Sequence, residues 1–474
     1  MPVRIALPKG RLLTETASLL KKAGWQLSGY DASLRNYRLK SAKFPDLLIK
    51  VFQEKDIPIQ VAIGNYDLGI CGLDWIEELS IKFSSSALVK LKNLGYGNGA
   101  LFAAFSRAQS TISLDTLRQQ DDAVSIASEY PNIAESFALN QRIKRFSIYP
   151  VWGGAEAYPP ESATLALVSG SVDGKSLNNG LASLTKVIDY SAFLIANQQS
   201  WKKKDLSAIL STLEKVRPDA VNTPLSDIQI PKIISPPPFP PKYEVNDIVR
   251  IALPDGHQQK FTVELLNRAG IQIDDYPSAT GNRRPIIRME GVVAKVIRPQ
   301  DMPLQVANGN FDMAITGLDW LTDHLAAFPS SPVQELLDLK FGRVRLVAVV
   351  SNNVPADNIY ALRQQGTGNV SPIRVASEYT NIADRYAREN HLGMYRIVPT
   401  WGATEAFLPE DADLLIENTE TGSTIARHNL KIIDTLFEST GRLIGNKNIK
   451  YSRAKKARIN AIIKLFSTAI MNEG

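Results

Sequence analysis

The chain has 474 residues, 44% of them hydrophobic and 22% charged, which is the composition of an ordinary globular protein long enough for two or more domains. Its formal charge of +6 suits anionic ligands, but no dense Lys/Arg block carries interleaved aromatics, which argues against nucleic acid as a partner. The single cysteine, Cys71, excludes an intrachain disulfide, and the absence of any apolar run of spanning length or of an N-terminal apolar segment leads to the expectation of a cytoplasmic, soluble chain with no membrane partner.

In chain order, Arg4-Ile-Ala-Leu-Pro8 reads as a strand, Pro8-Lys9-Gly10-Arg11 as a turn, and Leu12 to Ala23 as a helix closed by Gly24. The same unit returns at Arg250-Ile-Ala-Leu-Pro254-Asp255-Gly256-His257, and four further blocks follow in the same order. Asp56 to Trp75 matches Asp301 to Trp320, Ala127-Ser-Glu129-Tyr matches Ala376-Ser-Glu378-Tyr, Trp152-Gly-Gly-Ala-Glu156 matches Trp401-Gly-Ala-Thr-Glu405, and Leu194-Ile-Ala-Asn197 matches Leu443-Ile-Gly-Asn446. This is a tandem duplication with a period of roughly 245–250 residues, far longer than a solenoid repeat. The expected borders are copy one at 1–216, a connector at 217–246 and copy two at 247–474. The connector contains Pro236-Pro-Pro-Phe-Pro-Pro241, which favours a stiff extended chain. Strands alternate with helices in each copy, predicting α/β sheets. The late Leu-Ile-Xaa-Asn block predicts two lobes per copy, the first formed by about the first 90 residues and rejoined by the end of the copy.

Near the C-terminus, Asp413-Leu-Leu-Ile-Glu417-Asn-Thr-Glu420-Thr421-Gly422-Ser423-Thr424 predicts an apolar strand, a tight turn and the start of a helix. Successive amides in such a turn suit a phosphate, with the hydroxyls of Thr421, Ser423 and Thr424 adding bonds. Glu417 and Glu420 repel a phosphate and suit the two hydroxyls of an attached ribose. The alternative is a polar turn whose hydroxyls merely cap a helix. The four histidines (His257, His324, His391 and His428) are scattered without a partner cysteine, so they do not suggest a metal site and no metal ligands are assigned.

Taken together, Ala-Leu-Pro-Lys-Gly-Arg at the start, Arg298-Pro-Xaa-Asp301-Met-Pro, Phe341-Gly342-Arg343-Val-Arg345, Ser-Glu-Tyr-Xaa-Asn, Gly-Xaa-Xaa-Glu-Ala and Glu-Thr-Gly-Xaa-Thr resemble the ATP phosphoribosyltransferases, the first enzymes of histidine biosynthesis. The resemblance covers nearly all of both copies. It implies a two-lobed fold of the periplasmic-binding-protein type II kind, and Mg²⁺-dependent transfer of phosphoribose from phosphoribosyl pyrophosphate to N1 of ATP. On this resemblance Arg298 stands near the leaving pyrophosphate. Glu417, Glu420, Thr421, Gly422, Ser423 and Thr424 hold the phosphoribosyl group together with Lys9 and Arg11, while Arg343, Arg345 and Glu405 face ATP. Arg35 looks like an arginine that reaches into a neighbouring site. Two copies fused in one chain would then pair as an intrachain pseudo-dimer, and a homo-oligomer of such chains is a further expectation.

The copies have diverged unequally. Copy two keeps Arg298, Arg343 and Arg345, where copy one has Gln53, Asn98 and Ala100. Copy one keeps Lys9 and Arg11, where copy two has Asp255 and His257, and its loop Val168 to Leu177 has lost the carboxylate pattern. The expectation is an active site in copy two, with Arg35 lent by copy one and Lys175 dispensable. A non-catalytic nucleotide-binding or regulatory paralogue is the alternative. A periplasmic solute-binding module is a third, weakened by the lack of a signal segment. The longer members of the family it resembles carry an added C-terminal domain for histidine feedback, whereas about one helix of chain follows Asn446, so on this resemblance feedback by histidine is not expected.

Overall fold

The computed structural model of the protein describes residues 2–32, 34, 36–83, 87–109, 112–172, 177, 180–214, 247–279, 281–366 and 371–471. The proline-rich connector, Arg35 and Lys175 lie outside them. The chain forms two compact units. The first comprises Met1–Pro150, Leu165–Pro231 and Thr400–Phe407, and the second Val151–Thr164, Lys232–Pro399 and Leu408–Gly474. Each unit is thus one copy with a short segment exchanged.

Among the described residues the first unit holds two sheets. One runs, in spatial order, through Arg38–Leu39, Leu48–Gln53, Arg4–Lys9, Leu68–Gly72, Ala192–Asn197 and Leu88–Asn93. Its inner strand Leu68–Gly72 is buried along its whole length, the continuous apolar run expected of a covered parallel strand. The other sheet runs through Leu181–Tyr190, Gly99–Ser106, Leu165–Gly170, Val124–Ser128 and Phe146–Pro150. The chain therefore leaves the first lobe, builds the second, and returns through Ala192–Asn197, which lies antiparallel to Leu68–Gly72. Within this unit Phe407 is fully buried, its ring edge-on to Phe52 at 5.3 Å, and Ala406 joins the first-lobe core.

The second unit repeats the plan. Val292–Ile297, Val249–Pro254, Met313–Gly317, Gly441–Asn446 and Val333–Asp338 form the first sheet, and Tyr395–Pro399, Ile373–Ser377, Leu414–Thr419, Val344–Ser351 and Leu430–Ser439 the second. The helix Thr380–Glu389 covers the second sheet through Ile382, Ala383, Tyr386 and Ala387, a helical stripe with charged residues opposite. The helix Arg453–Met471 closes the first lobe with Ile462 and Phe466 in its core. The exchanged segment Val151–Thr164 contributes Tyr158, which is 1% exposed. The α/β class and the two-lobed plan agree with the sequence reading. No helix among the described residues is long and apolar enough to cross a membrane.

Candidate functional site

In the second unit the strand Leu414–Thr419 lies inside its sheet, parallel to Ile373–Ser377 and antiparallel to Val344–Ser351. It ends in the turn 420–422, where Gly422 takes φ +78°, and the short helix Ser423–Arg427 follows. A side chain there would strain the backbone, so the glycine is what allows the turn. Thr419 Oγ1 accepts from the Gly422 amide at 2.9 Å, Thr421 Oγ1 accepts from the Ser423 amide at 3.3 Å, and Thr421 donates to Ser423 Oγ at 3.0 Å. The loop thus satisfies part of its own backbone through hydroxyls, while Glu420, Thr421, Ser423 and Thr424 are exposed.

The root of the loop is tied to the other lobe. Asn418 Nδ2 donates to the Tyr379 hydroxyl at 2.6 Å, and that hydroxyl donates to Asp319 Oδ2 at 2.6 Å. Ser439 Oγ donates to Asp319 Oδ1 at 3.1 Å. Burial pushes the Asp319 carboxyl up, while these hydroxyls pull it down. Asp319, on the helix of the first lobe, thus joins the two lobes of its unit through Tyr379 and Ser439 of the second.

Across from the loop stands the turn Pro254-Asp255-Gly256-His257. His257 Nε2 lies 3.8 Å from Glu420 Oε2, both side chains more than half exposed. Asp255 Oδ2 accepts from Arg283 Nη1 at 2.7 Å, and Asp255 Oδ1 from Arg298 Nη1 at 3.4 Å. Arg283 Nε donates to Glu156 Oε1, in the exchanged segment of the same unit, at 3.1 Å. Burial opposes the charge on Arg283, but the two carboxylates hold its pKa above the ordinary value. Arg283 was not singled out from the sequence. Backbone pairing identifies it: Val296 N donates to Arg283 O as Val51 N does to Tyr37 O, so Arg283 stands where copy one has Tyr37.

Arg345 lies in its strand beside Thr419 on one side and Glu438 on the other. Arg343 falls one residue before the strand, and its guanidinium is bound to Glu438 through Nε at 3.1 Å and through Nη2. Arg298, Arg343, Arg345, Glu417, Glu420, Thr421, Gly422, Ser423 and Thr424 all fall in the second unit. Glu405 is placed in the first unit instead, in the helical turn Thr404–Phe407.

Lys9 and Arg11 also lie in the first unit. Lys9 Nζ donates to the Tyr37 hydroxyl at 2.9 Å. Arg11 Nη2 binds Glu54 Oε2 at 2.8 Å and Asp74 Oδ2 at 3.0 Å, and its guanidinium lies 4.5 Å from the centre of the Tyr190 ring. Asp74 also accepts from the Tyr130 hydroxyl at 2.9 Å. Burial works against the charge of Arg11, but Glu54 and Asp74 raise its pKa above the usual guanidinium value. The Arg11 fork is engaged through Nε and Nη2 by two buried carboxylates, Glu54 and Asp74.

The profile of the HisG family, ATP phosphoribosyltransferase, matches residues 53–216 and again 298–468. The ATP phosphoribosyltransferase of Chlorobium phaeovibrioides is 31% identical over 235 residues, 48% of this chain and 74% of that protein. That of Solibacter usitatus is 32% identical over 225 residues, 47% of this chain and 73% of that protein. Among solved structures, the ATP phosphoribosyl transferase complex of Thermotoga maritima matches at 19% identity and TM-score 0.39, over 48% of this chain and 100% of that one. The periplasmic aliphatic sulphonate binding protein SsuA of Escherichia coli matches at 15% identity and TM-score 0.30, over 47% of this chain and 72% of that one. The family match places the chain among the enzymes that transfer a pentosyl group. It belongs to the ATP phosphoribosyltransferase family, whose reaction is the first step of histidine biosynthesis.

Proposed function

We propose that the second unit carries the transfer of phosphoribose from phosphoribosyl pyrophosphate to N1 of ATP, with release of pyrophosphate. The observation that carries this reading is the placement of the loop Glu417–Thr424 across from the turn that holds Arg298 through Asp255, with Glu420 3.8 Å from His257. Displacement at the anomeric carbon builds negative charge on pyrophosphate and positive charge on the sugar, so the protein's task is positioning and electrostatics. Arg298, 42% exposed, keeps donors of its fork open for pyrophosphate. Glu417 and Glu420 hold the ribose hydroxyls and favour the developing positive ring. Thr421 and Ser423 exchange their mutual bonds for the 5-phosphate. Arg345 meets ATP in this reading, and Arg343 would have to leave Glu438 to join it.

Among the described residues no cluster of three or more His, Cys, Asp or Glu side chains is built to hold a metal ion. Mg²⁺ is usually carried by substrate phosphates and water with one or two carboxylates, a number that Glu417 and Glu420 supply. When bound, it would neutralise charge on the leaving pyrophosphate.

A second reading, a nucleotide-binding regulator without catalysis, is favoured by one observation: Asp255 places a carboxylate beside Arg298 where copy one has Lys9. Pyrophosphate release by the purified chain with ATP, phosphoribosyl pyrophosphate and Mg²⁺ separates the two. Turnover that Arg298→Ala lowers a hundredfold or more, about the loss of one such donor, supports catalysis in the second unit. Calorimetric binding of both substrates without release of pyrophosphate supports the regulator.

A further inference from the structure

Resting on catalysis in the second unit, we infer that Asp255 is a positioning residue for Arg298, itself anchored through Arg283 to Glu156 of the exchanged segment. The four side chains form a line of alternating charge. Glu156 Oε1 binds Arg283 Nε at 3.1 Å, Arg283 Nη1 binds Asp255 Oδ2 at 2.7 Å, and Asp255 Oδ1 meets Arg298 Nη1 at 3.4 Å. Exposure falls in a way that separates their tasks. Arg283 is 17% exposed and lies between two carboxylates, so its charge is met and it has little left for a ligand. Arg298 is 42% exposed and has one longer contact, so most of its fork faces outward. Asp255 is 14% exposed and held firmly by Arg283, so it gives Arg298 a fixed reference point.

The exchanged segment supplies the other wall. A Cβ on Gly153 would lie 2.9 Å from Arg298 Nε, and one on Gly154 would lie 3.0 Å from Arg283 Cζ. Both arginines pack against bare backbone there. The corresponding stretch, Trp401-Gly402-Ala403, has an alanine where Gly154 stands, despite its φ of +55°. In the first unit the line cannot form, because Lys9, Tyr37 and Gln53 stand where the second has Asp255, Arg283 and Arg298. An arginine loses much rotamer freedom when fixed, so holding it before the substrate arrives removes part of that loss from the reaction. Asp255 thus replaces a lysine that would touch the anion with a carboxylate that orients an arginine which does.

The test compares Asp255→Asn, Asp255→Glu, Glu156→Gln and Arg298→Ala in the full chain, with unfolding midpoints to establish folding. Asp255→Asn should lower kcat for pyrophosphate release about tenfold or more while KM for phosphoribosyl pyrophosphate changes less than about threefold, the mark of lost orientation rather than lost binding. Magnesium pyrophosphate, titrated calorimetrically, should bind Asp255→Asn no more weakly than the parent. Asp255→Glu, which keeps the charge, should recover part of kcat, and Glu156→Gln should lower kcat less than Asp255→Asn does. Parent kcat in Asp255→Asn overturns the inference, as does a raised kcat, which would make Asp255 a brake. If Arg298→Ala itself keeps full turnover, the assignment of catalysis to the second unit has failed instead.

Discussion

Arg11 shows how one side chain can be read in two ways. By motif it is an anion ligand, but in the fold it neutralises Glu54 and Asp74, which are 7% and 0% exposed. Removing one partner of a buried ion cluster leaves the others charged without compensation, a cost of about 3–5 kcal/mol. Arg11→Ala should therefore lower the denaturant midpoint by that equivalent while leaving KM for phosphoribosyl pyrophosphate in the folded fraction near the parent value. Unchanged stability would rule out the structural role. Glu161 is a second case. Burial raises its pKa, but Lys295, at 2.6 Å, and Arg284, at 2.9 Å, bring it down to about 2. A folded value below the unfolded one of 4.5 means that the stabilisation is complete above about pH 4.5 and is lost as pH falls towards 2. Screening at this partly exposed site reduces it to about 1–2 kcal/mol. Unfolding midpoints of Glu161→Gln and the parent should differ at pH 6 and converge near pH 2.

At the scale of elements, the loop after Leu414–Thr419 depends on both its ends. Gly422 sets the turn, and Asn418 is tied through Tyr379 to the buried Asp319. Thr421→Asp places a carboxylate where the 5-phosphate is proposed to sit. It should abolish phosphoribosyl pyrophosphate binding by calorimetry, and retained affinity in a folded variant would mean that the loop holds another part of the substrate. Tyr379→Phe removes one of the donors to Asp319 and releases Asn418. A buried polar group left short of a partner costs about 1–3 kcal/mol, readable in the thermal midpoint.

At the scale of the whole molecule, each compact unit contains a segment from the other copy. Phe407, fully buried, packs on Phe52 in the first unit, and Glu156 and Glu161 hold Arg283, Arg284 and Lys295 in the second. A half-chain lacks its borrowed segment and leaves these partners exposed or unpaired. Loss of a buried phenylalanine alone costs about 3–5 kcal/mol, a large part of a typical domain's stability. Residues 1–216 or 247–474 expressed alone should be poorly folded by hydrogen exchange and near-ultraviolet dichroism, and co-expression should restore both. Independent, native-like folding of either half would show that the exchanged segments are dispensable.

Local pattern determined a good deal about this protein. The duplication, the alternation of strands and helices, the return of Ala192–Asn197 and Gly441–Asn446 to the first sheets, and the strand-turn-helix around Gly422 all follow from periodicity, glycine and proline positions and repeated blocks, which act over a few residues. The loss of Arg298's counterpart to Gln53 was equally visible by aligning the copies. Only the tertiary structure decided which charges meet. Nothing near Arg11 marks Glu54 and Asp74 as its partners, nothing near Arg343 marks Glu438, and nothing near Asp255 marks Arg283, because these contacts span 28 to 95 positions. The exchange of Val151–Thr164 and Thr400–Phe407 was hidden for the same reason. Their buried and charged residues look alike in both copies, and burial free energy depends on the surface that covers a segment, not on the sequence around it.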